Sequence, residues 1–255
     1  MQTVPGGDAR PPRASLSFNC YAVRIAVLSD IHANLEALAT ALKVAEEHKA
    51  DSVICLGDVV GYGPDPAACI DLIRTTCEAC VLGNHDEAVA FDKGLGVLPS
   101  DAQTVVRMHQ RTLGENHMEW LRALPLRYDA HGASFVHSSP DDPGAWHRLE
   151  SFRSMQAQFS FFDGPICFVG HSHKPAVASN NVGILRVRRG HRFIVDVGSV
   201  GQPRDGDSRM GLVLFDTEEF ACELVRGHYD VERTAARIKE EGLPGVLAER
   251  LKQGW

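Results

Sequence analysis

Five times along the chain a short apolar run stops on residues that bind cations or move protons. Arg24–Leu28 gives way to Ser29-Asp30-Ile31-His32, Ser52–Leu56 to Gly57-Asp58, and Ala79–Leu82 to Gly83-Asn84-His85-Asp86. Ser134–Val136 gives way to His137-Ser138-Ser139, and Ile166–Val169 to Gly170-His171-Ser172-His173. Apolar runs this short read as buried strands, and in open α/β sheets ligands gather at the carboxyl ends of strands. If the five ends converge, they bring two or three carboxylates, an amide and five imidazoles into one cleft. Left bare, such a cleft is prohibitive, because an unpaired buried polar group costs roughly 2–7 kcal/mol and a charge far more. Two divalent cations would satisfy it.

Singly, the pieces say little. Asp30-Ile-His32 can be a helix cap beside a solvated histidine, Gly57-Asp58 a common turn, and His137 a hydrogen-bonded core histidine. Gly-His-x-His is more telling, since alternation along an extended chain puts both rings on one side. The set, in this order and each time after a strand, is what is specific.

Composition narrows the class. The 255 residues are 44% hydrophobic and 23% charged, as in ordinary globular proteins with a sizeable core. Twenty-six basic against 33 acidic residues give a net charge of -7, which argues against nucleic acid as a stable partner and against anionic membrane. Bound cations would still let an acidic protein take an anionic substrate. No apolar run approaches the roughly 18 residues of a membrane helix. Residues 1–22, rich in Pro, Gly, Arg and Ser over Met1–Asn19, lack the apolar centre of a secretory signal and read as a flexible N-terminal extension. Seven cysteines, mostly inside apolar runs, suit reduced thiols and a cytoplasmic location. Cys77-Glu-Ala-Cys80 lacks a second pair for zinc and reads as core. Homo-oligomerisation stays open.

The order of elements predicts βαβ units around a largely parallel sheet. Asn34 reads as the N-cap of a helix carrying Leu35, Leu38 and Leu42, and Asp65-Pro66 as the start of a second. Residues 87–126 read as helical, with capping boxes at Ser100-x-x-Gln103 and Asn116-x-x-Glu119. A hairpin is predicted over Leu126–Tyr128 and Ser134–Val136 around His131-Gly132, then an irregular stretch, Pro140–Leu149, of the kind that sits over sites. A weak helix is predicted around Ser151–Phe161. Antiparallel strands are predicted at Ala176–Ala178, Ile184–Val187, Phe193–Val197, Gly211–Phe215 and Phe220–Val225, then a helix over Asp230–Glu241 and a polar tail, Arg250–Trp255. Residues 23–255 are read as one domain with a C-terminal helical segment.

Asp30-Ile-His32, Gly57-Asp58-Val-Val-Gly61, Gly83-Asn84-His85-Asp86, His137 and Gly170-His171-Ser172-His173 together resemble the metallophosphoesterase, or calcineurin-like phosphoesterase, family. The resemblance covers residues 24–225, and Asn180–Arg204 resembles the bacterial and archaeal small-phosphodiesterase branch. It implies an α/β fold of four layers, α/β/β/α, in which a two-sheet β-sandwich is flanked by helices. It further implies that Asp30, His32 and His173 hold one metal, that Asn84, His137 and His171 hold another, and that Asp58 bridges them. His85 corresponds to the family's catalytic histidine, with Asp86 as its orienter. Imidazoles with hard oxygens and no thiolate suit Mn²⁺, Fe, Ni²⁺ or Zn²⁺, with manganese favoured. Such a pair would generate a bridging hydroxide for in-line attack on a small phosphoester, with His85 stabilising phosphoryl charge or protonating the leaving oxygen.

Outside this set, Arg204 reads either as a phosphate clamp or as a surface ion pair with Asp205 or Asp207. Tyr62 offers a ring for a substrate base, although a turn tyrosine more often simply packs. Trp146 and His147 line a leaving-group pocket or merely anchor their loop. Arg186, Arg188, Arg189 and Arg192 form a basic patch that reads as a solvated hairpin face. The leading expectation is a phosphodiesterase or phosphatase of small substrates, nucleotides among them. A protein phosphatase, a dinucleoside polyphosphate hydrolase, and a metal-bound scaffold without activity are the competitors. An intact His85 weighs against the scaffold.

Overall fold

The computed structural model describes residues 22–255. Nearly all of the expected N-terminal extension lies outside them. β1 (Arg24–Leu28), α1 (Leu35–Glu47), β2 (Ser52–Cys55), α2 (Pro66–Thr76) and β3 (Ala79–Cys80) alternate as anticipated. Asn34 caps α1 by accepting the Ala37 N–H at 3.1 Å. Asp65 and Pro66 open α2, although the Asp65 side chain turns to Arg237 at 2.9 Å rather than to its own helix.

Three helices follow: α3 (Asn84–Phe91), α4 (Ser100–Thr112) and α5 (Glu115–Arg122). Neither expected capping box forms, because α4 starts after Pro99 and α5 after Gly114, which puts Ser100 and Asn116 already inside their helices. β4 (Arg127–Ala130) and β5 (Ala133–Val136) make the predicted hairpin. Both turn residues, His131 (φ 51) and Gly132 (φ 73), are left-handed, the geometry that matches strand twist in two-residue hairpins.

Then come α6 (Phe152–Gln156), β6 (Ile166–Val169), β7 (Ala176–Ser179), β8 (Phe193–Asp196), β9 (Met210–Asp216), β10 (Ala221–Gly227), α7 (Val231–Glu240) and α8 (Gly245–Gln253). Two expectations fail here. Ile184–Val187 is no strand but irregular chain between the left-handed Gly183 and Gly190, so the basic patch does not lie on a hairpin. Arg192 instead donates to the Phe159 and Phe162 carbonyls. The supposed polar tail is largely the last turn of α8, with Leu251 buried.

The strands form two sheets, ordered β10-β9-β1-β2-β3 and β4-β5-β6-β8-β7. β1, β2 and β3 run parallel, as do β5, β6 and β8. The pairing of β8 with β6 replaces the all-antiparallel set expected for the later strands.

Alternation along β1 does the layering. Ile25 and Val27 face the space between the sheets with Ile54, Phe135, Phe168 and Phe215. Ala26 and Leu28 face Leu38, Ile70 and Ile73 of α1 and α2. Beyond the second sheet, Met155 and Phe159 pack on Cys167, Val169 and Ile194. Helix, sheet, sheet, helix is thus the layer order. Phe168 stacks on Phe135 and tilts against Phe215, both at 5.3 Å between centroids. Each fully buried ring contributes roughly 1.5–3 kcal/mol, and truncating one such as Phe168 to Ala costs about 3–5 kcal/mol. This packing holds the carboxyl ends of the parallel strands along one edge. Among the described residues no helix is long and apolar enough to cross a membrane.

Candidate metal centre

The strand ends do converge. Asp30, His32 and His173 place ligand atoms within 4.8 Å of one another, and so do Asp58, His137 and His171. His32 Nε2 lies 3.2 Å from His173 Nε2, and His137 Nε2 lies 3.2 Å from His171 Nδ1. Asp58 belongs to both halves: its Oδ2 is 3.4 Å from His137 Nε2 and 3.7 Å from His32 Nε2.

Each of the four imidazoles spends its outer nitrogen on a backbone carbonyl. His32 Nδ1 meets Val60 O at 3.1 Å and His137 Nδ1 meets Leu56 O at 2.8 Å. His173 Nδ1 meets Gln202 O at 2.5 Å and His171 Nε2 meets Trp146 O at 3.0 Å. A carbonyl only accepts, so each outer nitrogen carries a proton and the inner one faces the centre. Outer bonds of this kind orient metal-ligating histidines. The carboxylates are fixed likewise. Asp30 Oδ2 accepts from Ser29 Oγ at 2.7 Å and the His171 N–H at 2.9 Å, and Asp58 Oδ1 accepts the His85 N–H at 2.8 Å.

The backbone bends sharply to achieve this. Asp30, His32, Asp58, His171 and His173 all hold φ between 50° and 65°, a region uncommon outside glycine. Conformations of this kind cost roughly 1–3 kcal/mol each and persist where surrounding structure fixes them. Gly83 supports the bend differently from the tight turn that its place after β3 suggests. Its φ is -101°, and a Cβ there would collide with the Asp58 carboxylate.

Asp30 Oδ1, Asp58 Oδ2, Asn84 Oδ1 and His85 Nδ1 are buried without a hydrogen-bond partner. The three oxygens, gathered in one cluster, fit donors for cations, since each alone is costly. Burial opposes charge on Asp30 and Asp58, yet His173 beside the first and His137 beside the second hold both below the usual carboxylate range. Burial would lower His137, but Asp58 pulls it up to about 10. Burial drives His171 down to about 3 and His85 to about 4, leaving both neutral at pH 7. Imidazoles, ionised carboxylates and an amide oxygen fit a pair of divalent cations, His137 losing on metal binding the inner proton that Asp58 otherwise holds on it.

Comparison with known proteins places the chain in a family. A model of the calcineurin-like phosphoesterase superfamily domain matches residues 23–220. The chain belongs to that superfamily. The crystal structure of a metallophosphoesterase from Sphaerobacter thermophilus is similar with a TM-score of 0.81 and 34% identity, over 92% of this chain and 100% of that one. A protein of Methanocaldococcus jannaschii, named only as uncharacterised, is 33% identical over 240 residues, 90% of this chain and 98% of its own. The symmetrical bis(5'-nucleosyl)-tetraphosphatase of Chromohalobacter salexigens is 29% identical over 101 residues, 39% of this chain and 36% of that protein. The chain is therefore a phosphoesterase.

Around the candidate ligands of this phosphoesterase, His85 sits beside His32, with ring centroids 4.9 Å apart. The Asp86 carboxylate, expected to orient His85, turns to the backbone instead. Its two oxygens accept from the Val60 and Gly83 amides, both at 3.1 Å, which is the carboxylate half of a capping box. Burial and then the nearby Asp58 push Asp86 up to about 7. Tyr62 is buried with its ring 4.7 Å from His32 and 4.6 Å from His85. Arg204 lies over the Tyr62 ring, 5.5 Å from its centroid, and donates to Gln202 Oε1 at 2.8 Å. The alternative ion pairs for Arg204 are already taken, as Asp205 pairs with Arg226 and Asp207 with Arg209. Cys77 and Cys80 pack into the helix-side core, and burial raises both thiols.

Sequence reasoning missed His109. It is fully buried, accepts the Gly61 N–H at 3.2 Å on Nδ1, and donates from Nε2 to Gly63 O at 3.0 Å. It thereby braces the loop that carries Tyr62. Nothing in the helical pattern of α4 marks it apart from the other residues on its buried face.

Proposed function

We propose that the centre is dinuclear and that the enzyme hydrolyses phosphodiester or phosphomonoester bonds of small substrates, nucleotides among them. The observation that carries this is the partnerless Asp58 Oδ2, buried between the two histidine groups. Asp30, His32 and His173 would hold one cation and Asn84, His137 and His171 the other, with Asp58 shared. The donor set accommodates Mn²⁺, Fe, Ni²⁺ or Zn²⁺, with manganese favoured. When bound, two such ions neutralise phosphoryl charge and lower the pKa of a water to near neutrality.

The chain's own residues supply the rest. His85, neutral and with Nδ1 unpartnered, is placed to donate a hydrogen bond to a phosphoryl oxygen or a proton to the leaving oxygen. Tyr62 walls the site behind His85. Arg204 offers a planar fork for a non-bridging phosphate oxygen pair.

The cleft beside His85 has a volume of about 160 Å³ and is lined by Tyr62, Asn84, Glu87, Trp146, Arg148 and His171, among others. Ligand pockets for drug-sized molecules are typically ~300–1,000 Å³, so this one suits a small leaving group better than a folded phosphoprotein. Cleavage of dinucleoside polyphosphates is the second reading, favoured by the partial likeness to the tetraphosphatase.

Chelation tests the proposal. Turnover of a generic bis-aryl phosphodiester should vanish with the metals and return with Mn²⁺, and undiminished turnover by metal-free protein would overturn it. A panel of nucleotides, dinucleoside polyphosphates and phosphopeptides then sorts the substrates.

A further inference from the structure

Trp146 reaches both histidines of one half of the centre and the helix that begins at that half's Asn84. Its carbonyl takes the His171 Nε2–H at 3.0 Å. Its indole meets His137 edge-on, 5.9 Å between centroids. Its Nε1–H donates to Glu87 Oε2 at 2.8 Å, and Glu87 is in the first turn of α3, which begins at Asn84. His171, His137 and Asn84 are the three ligands proposed for that position besides the shared Asp58. In the opposite half, the outer bonds of His32 and His173 run to Val60 O and Gln202 O.

The chain around Trp146 is built to hold it. Trp146 itself is left-handed (φ 57) at the end of a short 3-10 turn, Pro143–Ala145. Ser138 Oγ, next to His137, donates to Pro143 O at 3.0 Å, and Leu149 is buried in the outer core. Glu87, almost fully buried, is anchored on its other oxygen by Lys93 at 2.6 Å. The loop is thus clamped at both ends and at its middle.

We propose that Trp146, held by Glu87, is the positioning residue for the Asn84/His137/His171 cation, and that the Asp30/His32/His173 cation is independent of it. The inference rests on the metal reading of the site. It makes affinity at one position depend on the 140–149 loop, because outer partners of metal ligands are typically worth about 10–100-fold in affinity.

The test is equilibrium dialysis of metal-free full-length protein against Mn²⁺, with bound metal counted. Wild type should take two equivalents. Glu87→Leu and Trp146→Phe, the second keeping the ring but losing the N–H, should bind one equivalent normally and the other roughly 10–100-fold more weakly. Glu87→Gln, which retains an acceptor oxygen, should restore the weakened equivalent. The effect of Glu87→Leu should disappear in a His137→Ala background and persist in a His173→Ala background. Wild-type affinity for both equivalents in Glu87→Leu and Trp146→Phe, or equal weakening of both, would overturn the proposal. A wild-type protein that binds no metal would overturn the metal reading itself.

Discussion

The two halves that share Asp58 are built from different materials. Asp30, His32 and His173 are essentially inaccessible, and Asp30 gives that half a carboxylate of its own. Its imidazoles rest on carbonyls of the Asp58–Gly63 segment and of Gln202, deep in the fold. The other half has a neutral amide in place of a carboxylate, and His171 and Asn84 border the open cleft. Sheet convergence therefore makes one inaccessible group that carries its own carboxylate and leaves a second, less charged group beside the cleft. If each group takes a cation as proposed, the two should bind with unequal affinity.

His85 also brings a ligand atom within 4.8 Å of those of His32 and Asp58; if, as proposed, it holds neither cation, replacing it separates chemistry from metal binding. His85→Asn should keep both cations yet lower kcat by about 10²–10⁴-fold. Metal analysis alongside steady-state kinetics checks this. Loss of one cation in that variant would mean that His85 is structural.

The inaccessible half also depends on a titratable brace. Burial lowers His109 from 6.5 to about 4, so the folded state binds its proton later than the unfolded chain does. Its contribution is complete above about pH 6.5 and is lost progressively as pH falls towards 4, worth up to about 3 kcal/mol. Denaturant titrations between pH 7 and pH 4.5 should show a shallower acid loss in His109→Gln than in wild type. Identical slopes would remove His109 from the acid limb.

The smallest of these effects lies at the rim. Arg204→Ala should raise KM about tenfold, the loss of one charge-assisted contact, while kcat stays within a few-fold. An unchanged KM would remove Arg204 from the site.

The convergence of the candidate ligands was legible because each follows a strand, and strand ends are marked by where an apolar run stops. Asp86 misled because its neighbour His85 is catalytic in the resembling family, whereas its carboxylate caps its own helix start. Ile184–Val187 has the apolar pattern of a strand, but flanking glycines turn the chain away from any partner. The bracing by His109 and the carbonyl of Trp146 were invisible for a different reason. They depend on where backbone groups arrive in space, and residue type does not encode that arrival locally. Gly83 shows the same limit, since its lack of a side chain answers to Asp58, twenty-five positions earlier.

The claim on which everything turns is that two cations share Asp58 and act together. Adding Mn²⁺ stepwise to metal-free enzyme, while following bound metal and phosphodiester turnover on the same samples, tests it most directly. The account predicts little turnover at one equivalent and full turnover only as the second binds. Full turnover at one equivalent, or with none, would contradict it.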